Sequence, residues 1–158
     1  MQLLIKQRVF TFRDTFDVYD EQGNPIWFIQ SKLFSFAKEI FVYDGENHQA
    51  AAIRQKLWHL MPRYEMWMGD QYCGCIQKRF ALFPRYELDY GSWRVEGDFL
   101  GWNYDVLSDQ GVVASIRKEL LHWGDTYVID IPDPGNELPC LLIVLAIDAA
   151  NAQASQNS

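Results

Sequence analysis

The sequence predicts a single, mainly β domain in which antiparallel strands surround one apolar helix. Three observations lead to this prediction: strand-like segments recur along the chain, turn residues separate them, and one long apolar run stands near residue 140. The chain has 158 residues, of which 49% are hydrophobic, and this suffices for one buried core. An aromatic content of 15% further favours strands.

Strand-like segments follow one another at short intervals. They are residues 9–12, 15–19, 26–29, 39–43, 64–68, 86–90 and 93–96. Turns rich in Gly, Asp, Asn and Pro separate them, at 20–25, 44–45, 69–70, 89–91, 96–98, 108–111 and 124–125. Ten or more short strands at this spacing predict an all-β sandwich or barrel.

An internal repeat organises these strands. Four segments share an Ile, two polar or charged residues and a final charged residue: Ile29–Lys32, Ile53–Lys56, Ile76–Arg79 and Ile116–Glu119. Bulky apolar residues follow each segment, and a new strand begins ten or eleven residues after the Ile. A wider likeness relates 16–23 to 104–111. The pattern predicts repeated antiparallel hairpins in two related halves.

The apolar run Leu138–Ile147 predicts a helix that is surrounded on every side. A membrane span needs about 20 apolar residues, and Asp148 interrupts this run, so we expect burial in protein and no transmembrane span. A large closed sheet leaves a lumen, and a helix about 10 Å across would fill it. We predict one domain over 1–152, with its core helix at about 138–152, and a flexible tail at 153–158.

The segment Asp125–Pro132 and the helix that follows resemble the LURP-one-related and tubby C-terminal-like family, which includes the phospholipid scramblases. The segment has the scramblase order of Asp, an aromatic residue two positions on, Ile, an apolar residue and Pro. Leu142–Asp148 is similar to the family's terminal helix, including its Ile-Asp pair. The resemblance implies a tubby-like barrel of about twelve antiparallel strands that encloses a hydrophobic C-terminal helix.

The resemblance also suggests ligands without fixing one. Tubby domains bind phosphoinositide head groups through Lys and Arg on the barrel wall, and scramblases are tied to calcium and lipid movement. The expected ligand is an anionic lipid head group or a protein partner. The alternatives are a scramblase-like lipid-handling protein and a scaffold domain without a small ligand. Function does not follow from a shared fold.

Charge and cysteine usage limit the kinds of partner and the cellular compartment that we expect. A net charge of −7 argues against nucleic acid as a partner, because nucleic-acid binding requires a positive field. Three cysteines, an odd and sparse set, indicate a reducing cytoplasmic setting rather than a disulfide framework.

The sequence lacks the residue patterns of common catalytic sites. It contains no glycine-rich phosphate loop, no Gly-x-Ser-x-Gly turn and no His-Glu-x-x-His helix. His48, His59 and His122 stand apart, and His59 and His122 occupy similar places in two repeats, which favours a structural role. We therefore expect a protein that is not an enzyme and has no cofactor.

Two clusters suggest metal binding but are better explained structurally. Cys73 and Cys75 could face the same way on a strand, yet a structural zinc site needs four ligands. The carboxylates Asp125, Asp130, Asp133 and Glu137 could hold calcium, but their spacing lacks the calcium-loop pattern and suits the start of a helix. We expect no metal site.

Basic residues recur beside the repeat isoleucines, and these are the candidate binding residues. They are Arg54, Lys56, Lys78, Arg79, Arg117 and Lys118. If their strands are neighbours, the side chains form a basic stripe that could bind phosphate; the alternative is that charge keeps strand faces soluble. We expect a domain that binds an anionic lipid, such as a phosphoinositide, or a protein partner, with a peripheral membrane location in the first case.

Overall fold

In the residues that the structure describes, the chain folds into twelve antiparallel strands followed by one long helix. The computed structural model describes residues 1–6, 15–34, 36–57, 60–121 and 124–156. The strands are β1 (Gln2–Lys6), β2 (Thr15–Tyr19), β3 (Pro25–Phe34), β4 (Ala37–Tyr43), β5 (Gln49–Lys56), β6 (Arg63–Met68), β7 (Gln71–Arg79), β8 (Arg85–Asp89), β9 (Arg94–Asp98), β10 (Asn103–Ser108), β11 (Gly111–Leu121) and β12 (Gly124–Asp130). A 3₁₀ turn, Pro134–Asn136, leads into helix α1 (Glu137–Gln156).

All twelve strands form one sheet that curls into a nearly closed barrel. Strands that are consecutive in the chain pair with one another from β1 to β8 and from β9 to β12, and β1 also pairs with β12. The two edge strands of this order are β8 and β9. The barrel therefore has one seam, where β8 and β9 lie near each other without a hydrogen-bonded ladder. The predicted fold class is confirmed.

Because consecutive strands are antiparallel neighbours, the connections between them alternate between the two ends of the barrel. We call the end that carries the connections after β3, β5, β7, β9 and β11 the apical end, and the other end the basal end. Helix α1 enters the barrel at the basal end, where the Trp27 indole N–H donates to Glu137 Oε1 at 2.7 Å. It runs through the lumen towards the apical end.

The repeat isoleucines and the helix together form the core. Ile29, Ile53, Ile76 and Ile116 are all buried within it. Every helix residue from Cys140 to Ile147 is buried as well. The isoleucines are buried because side chains alternate along a strand, so that one side of each strand contacts the helix and the other side contacts solvent. The two related halves are also visible in the register, since Phe16 pairs with Ile29 as Tyr104 pairs with Ile116.

The helix is longer than the sequence predicts. It begins at Glu137 and continues to Gln156, so residues 153–156, which we assigned to a flexible tail, extend the helix. Side chains at the apical ends of β5 and β6 hold this last part of the helix. Gln55 Nε2 and the Tyr64 hydroxyl both donate to Gln153 Oε1, at 2.6 and 2.7 Å. The Tyr86 hydroxyl likewise donates to Asn151 Oδ1, and Asn151 Nδ2 donates to the Phe99 carbonyl. The polar side chains of Asn151 and Gln153 therefore have hydrogen-bond partners inside the barrel.

The helix in the structure is long enough to cross a membrane. Pro134–Gln153 meets the length and hydropathy of a membrane span, with a mean hydropathy of 1.2, so length alone does not exclude spanning. In the structure, however, 61% of this apolar window is buried inside the barrel. The helix is accounted for as the barrel's core.

Most predicted strands occur, with longer bounds. The segment 15–19 matches β2. The segments 26–29, 39–43 and 64–68 lie inside β3, β4 and β6, and the segments 86–90 and 93–96 overlap β8 and β9 with an offset of one residue at the start. Strand β1 was missed because Leu3, Leu4 and Ile5 are all buried, so no alternating pattern marks it. The predicted strand 9–12, His59 and His122 lie outside the described residues.

Asp148 is the one acidic residue within the apolar part of the helix. Desolvation raises its pKa to about 7, an effect partly offset by the positive charge of Lys38. Burial raises the pKa of Tyr86, Tyr104 and Tyr127, and the negative charge of Asp148 raises it further. Burial inside the barrel therefore favours the neutral form of this carboxyl group.

Leu142→Asp should unfold the domain, because it places an unpaired charge among the buried apolar side chains around Cys140–Ile147. We expect a loss of more than about 4 kcal/mol of stability, measured as loss of the cooperative thermal transition by circular dichroism. The exposed Leu120→Asp serves as the matched control and should melt like the wild type. A soluble, cooperatively folded Leu142→Asp protein would contradict the enclosed helix.

The raised pKa of Asp148 predicts a pH dependence of stability. The unfolded state loses this proton near pH 4 and the folded state near pH 7, so the folded state binds more protons between these values. This contribution to stability should be complete below pH 4 and lost as the pH rises to 7. Asp148→Asn should remove that slope and raise stability at pH 8 by up to about 4 kcal/mol, since each unit of pKa shift corresponds to about 1.4 kcal/mol, and urea unfolding measures this. Asp109→Asn, in an exposed turn, should change neither.

Candidate functional site

The six predicted basic residues lie in three separate parts of the barrel wall. Arg54 and Lys56 belong to β5, Lys78 and Arg79 to β7, and Arg117 and Lys118 to β11. Strand β6 separates β5 from β7, and β11 lies six strands from β5 in the sheet order. The structure therefore does not bring the six into one continuous stripe.

Local partners engage most of these six. Arg117 contacts Asp105 at 3.0 Å and Lys118 contacts Asp125 at 2.9 Å. The hydrogen bond to Asp125 raises the pKa of Lys118. Arg54 lies over the Trp67 ring at 5.0 Å. Within the described ranges Lys78 has no ion pair, and strand alternation directs it to the inner face, at the apical rim.

Two of the six do belong to a continuous basic surface. Lys56 and Arg79 lie on the outer face at the apical ends of their strands, and two further arginines at the same level complete the set. We call Lys56, Arg63, Arg79 and Arg85 the apical basic row. It crosses the four neighbouring strands β5 to β8.

The strand register forces like charges together within this row. Lys56 stands directly opposite Arg63 across β5 and β6, and Arg79 stands directly opposite Arg85 across β7 and β8. Side chains at directly opposed positions lie about 5 Å apart at Cβ, and like charges placed there are destabilising. An anion bound between them would relieve this repulsion.

Two carboxylates offset part of the row's charge. Glu65 lies 3.6 Å from Lys56 and 4.0 Å from Arg63, and Glu87 forms an ion pair with Arg79. Arg63 also donates to the Tyr72 hydroxyl at 3.3 Å, a bond that raises the pKa of the guanidinium group. Four cations and two carboxylates leave the row with a net positive charge.

The row borders the open seam of the barrel. A cleft of about 760 Å³ lies between β8 and β9. Arg79, Arg85, Phe80 and Phe83 line it, together with Glu87 and residues of β9. Phe99 also lines it and packs edge-on against Tyr86, with ring centroids 5.0 Å apart. Guanidinium groups and aromatic side chains thus share one opening on the outer wall.

Charge is divided between the two ends of the whole barrel. Among the described residues, every Lys and Arg except Arg94 lies in the apical half. The basal connections carry carboxylates instead, namely Asp20, Glu21, Asp44, Glu46, Asp70, Asp109 and Asp133. The net charge of −7 is therefore an average over a basic end and an acidic end.

The two suspected metal clusters are explained by local structure. Asp125 lies at the apical end against Lys118, whereas Asp130 ends β12 at the basal end. Asp133 caps the 3₁₀ turn by accepting from the Gly135 N–H at 3.0 Å. Across the described parts of the chain, no three His, Cys, Asp or Glu side chains gather as a metal site would require. The three cysteines are free thiols.

Sequence reasoning missed half of the basic row. We selected basic residues beside the repeat isoleucines, which lie at the ends of the strands that rise to the apical end. Arg63 and Arg85 begin the strands that descend from it, so they fall outside the repeat. A hairpin pairs the end of one strand with the start of the next, and this rule could have identified both residues.

Comparison with known proteins supports the fold and identifies a family. Residues 1–148 match the family model described as LURP-one-related. The chain is 28% identical over 149 residues to the uncharacterized protein YxjI of Bacillus subtilis (strain 168), and the match covers 94% of this chain and 92% of that protein.

A solved structure shares the architecture. The X-ray structure of the Arabidopsis thaliana protein AT5G01750 superposes with a TM-score of 0.65, and the match covers 94% of this chain and 90% of that one. At 16% identity this likeness concerns the fold alone. Because the family model spans almost all of the barrel and most of its core helix, the chain belongs to the LURP-one-related family.

Proposed function

We propose that this protein is a non-enzymatic binding module that attaches to anionic phospholipid surfaces through the apical basic row. One observation carries the proposal: four outward basic side chains stand level at one end of the barrel, in two directly opposed like-charge pairs. Such an arrangement costs stability when empty and gains it when an anion binds.

The chemistry of the row suits a phosphate group. Three of its four members are arginines, whose planar guanidinium groups can each make two parallel hydrogen bonds to phosphate oxygens. Arg79 and Arg85 stand at the mouth of the seam cleft, so a head group could enter between them. Phe80 and Phe83 at the same mouth offer apolar contact to the glycerol and acyl part of a lipid.

Long-range electrostatics favours one orientation on the membrane. A protein with a net charge of −7 is repelled by an anionic surface unless its charges are segregated. Here the basic end is attracted and the acidic basal end is repelled, so both forces turn the apical end towards the lipid. Free thiols at Cys73, Cys75 and Cys140 support a reducing compartment, and a cytoplasmic leaflet is the corresponding membrane face.

The double variant Arg79→Gln/Arg85→Gln should bind anionic vesicles about 10- to 30-fold more weakly than the wild type. Each basic side chain near an anionic surface contributes about 1 kcal/mol. Binding would be measured by co-sedimentation with vesicles of phosphatidylcholine and phosphatidylserine in a 7:3 ratio. Raising the salt concentration should weaken wild-type binding more steeply than binding of the variant.

Arg117→Gln is the matched control for that experiment. Arg117 forms an ion pair with Asp105 as Arg79 does with Glu87, but it lies on β11, away from the apical basic row and from the seam cleft. It should bind vesicles like the wild type. Equal retention of all three proteins would contradict the proposal, as would failure of the wild type to bind at any content of phosphatidylserine.

A further inference from the structure

Exposed apolar side chains are concentrated at the apical end of the barrel. Four connections described there each present one, namely Phe36 after β3, Leu60 after β5, Leu82 after β7 and Leu100 after β9, and Leu120 is exposed near the end of strand β11. Leu82 is 92% exposed and Leu60 is 87% exposed. We call these five side chains the apical tips.

The basal end does not share this feature. Away from the apical end, the exposed large apolar side chains in the described ranges are Tyr72 and Val112, both on strands. The basal turns are instead made of Asp, Glu, Asn and Gly, which tolerate tight turns in water. Single exposed apolar residues are ordinary, but a set confined to every described connection at one end indicates a contact surface.

Basic residues flank three of the five tips. Lys32 and Lys38 flank Phe36, Lys56 and Arg63 flank Leu60, and Arg79 and Arg85 flank Leu82. In these three hairpins the apolar residue is at the turn and the cation lies further down the strand. Apolar tips above a collar of Lys and Arg match the two layers of an anionic membrane surface, with acyl chains beneath phosphate groups.

We propose that the apical tips insert into the interfacial layer of an anionic membrane, so that the barrel stands on the bilayer with its axis close to the membrane normal. The inference rests on the proposed function, since it uses the same end and the same membrane. It adds an apolar anchor to the electrostatic contact. The ring geometry supplies the orientation, because five contacts around one end define a plane.

The depth of insertion is limited by the backbone. Turn N–H and C=O groups need water or protein partners and cannot enter the hydrocarbon core unpaired. The tips therefore reach only the boundary between head groups and acyl chains. Binding of this kind is reversible and depends on both salt and buried apolar area.

The test uses the full-length protein and two substitutions at highly exposed positions. Leu60→Ser/Leu82→Ser should keep the wild-type melting temperature and bind phosphatidylcholine/phosphatidylserine (7:3) vesicles about 10- to 100-fold more weakly, given the free energy of burying each side chain. Its residual binding should be lost in 0.5 M NaCl. Val112→Ser, a half-exposed position on the basal part of β11, should bind like the wild type.

A fluorescent probe reports insertion directly. An environment-sensitive NBD label on Leu82→Cys, in a Cys73→Ser background because Cys75 and Cys140 are buried, should brighten and shift to the blue on these vesicles. The same label on Val112→Cys should not. Both labels are read at saturating vesicle concentration, so that a difference in fluorescence between them does not depend on the amount of protein bound.

The outcomes separate the two proposals. If the tip variant binds like the wild type and the Leu82→Cys label stays dark, while Arg79→Gln/Arg85→Gln still loses binding, insertion is wrong and head-group binding stands. If the wild type binds neither anionic nor neutral vesicles, both are wrong. If the wild type is dimeric in solution and the tip variant monomeric, a second copy covers the tips and the insertion proposal is overturned.

Discussion

The barrel depends on one constraint, which is that its lumen must be filled by a helix that is apolar on every side through most of its buried length. Twelve strands enclose more space than strand side chains can occupy, and a void of that size would cost far more than the domain's net stability. Helix α1 fills it with side chains that are buried from Cys140 to Ile147. The same helix would expose its apolar surface outside the barrel. Neither part is stable without the other.

This mutual dependence fixes much of the outer wall. Because one face of every strand is committed to the helix, the alternation of side chains sets which residues face solvent, and a shift of one residue would exchange the two faces. The register that buries Ile53 and Ile76 is the register that sets Lys56 opposite Arg63 and Arg79 opposite Arg85. The like-charged pairs on the outside are thus a consequence of packing on the inside.

The sequence predicted the fold more fully than the site, for a physical reason. Burial leaves a periodic record, and the repeat isoleucines and the run Leu138–Ile147 were enough to predict strands around a helix. Strand order leaves no such record, so β5, β7 and β11 could not be known to lie apart. Arg63 and Arg85 were overlooked because their positions matter only across a hairpin. The helical continuation to Gln156 was missed because side chains far away in sequence, Gln55 and Tyr64, hold it.

The position of α1 in the chain has a consequence for biosynthesis. Every strand is made before the helix that fills the lumen, and β1 pairs with β12, so the wall itself needs residues from both parts of the chain. Until α1 leaves the ribosome, the inner faces of the strands have nothing to pack against. The barrel therefore forms late and cooperatively rather than strand by strand, and the nascent chain is exposed to aggregation throughout that interval.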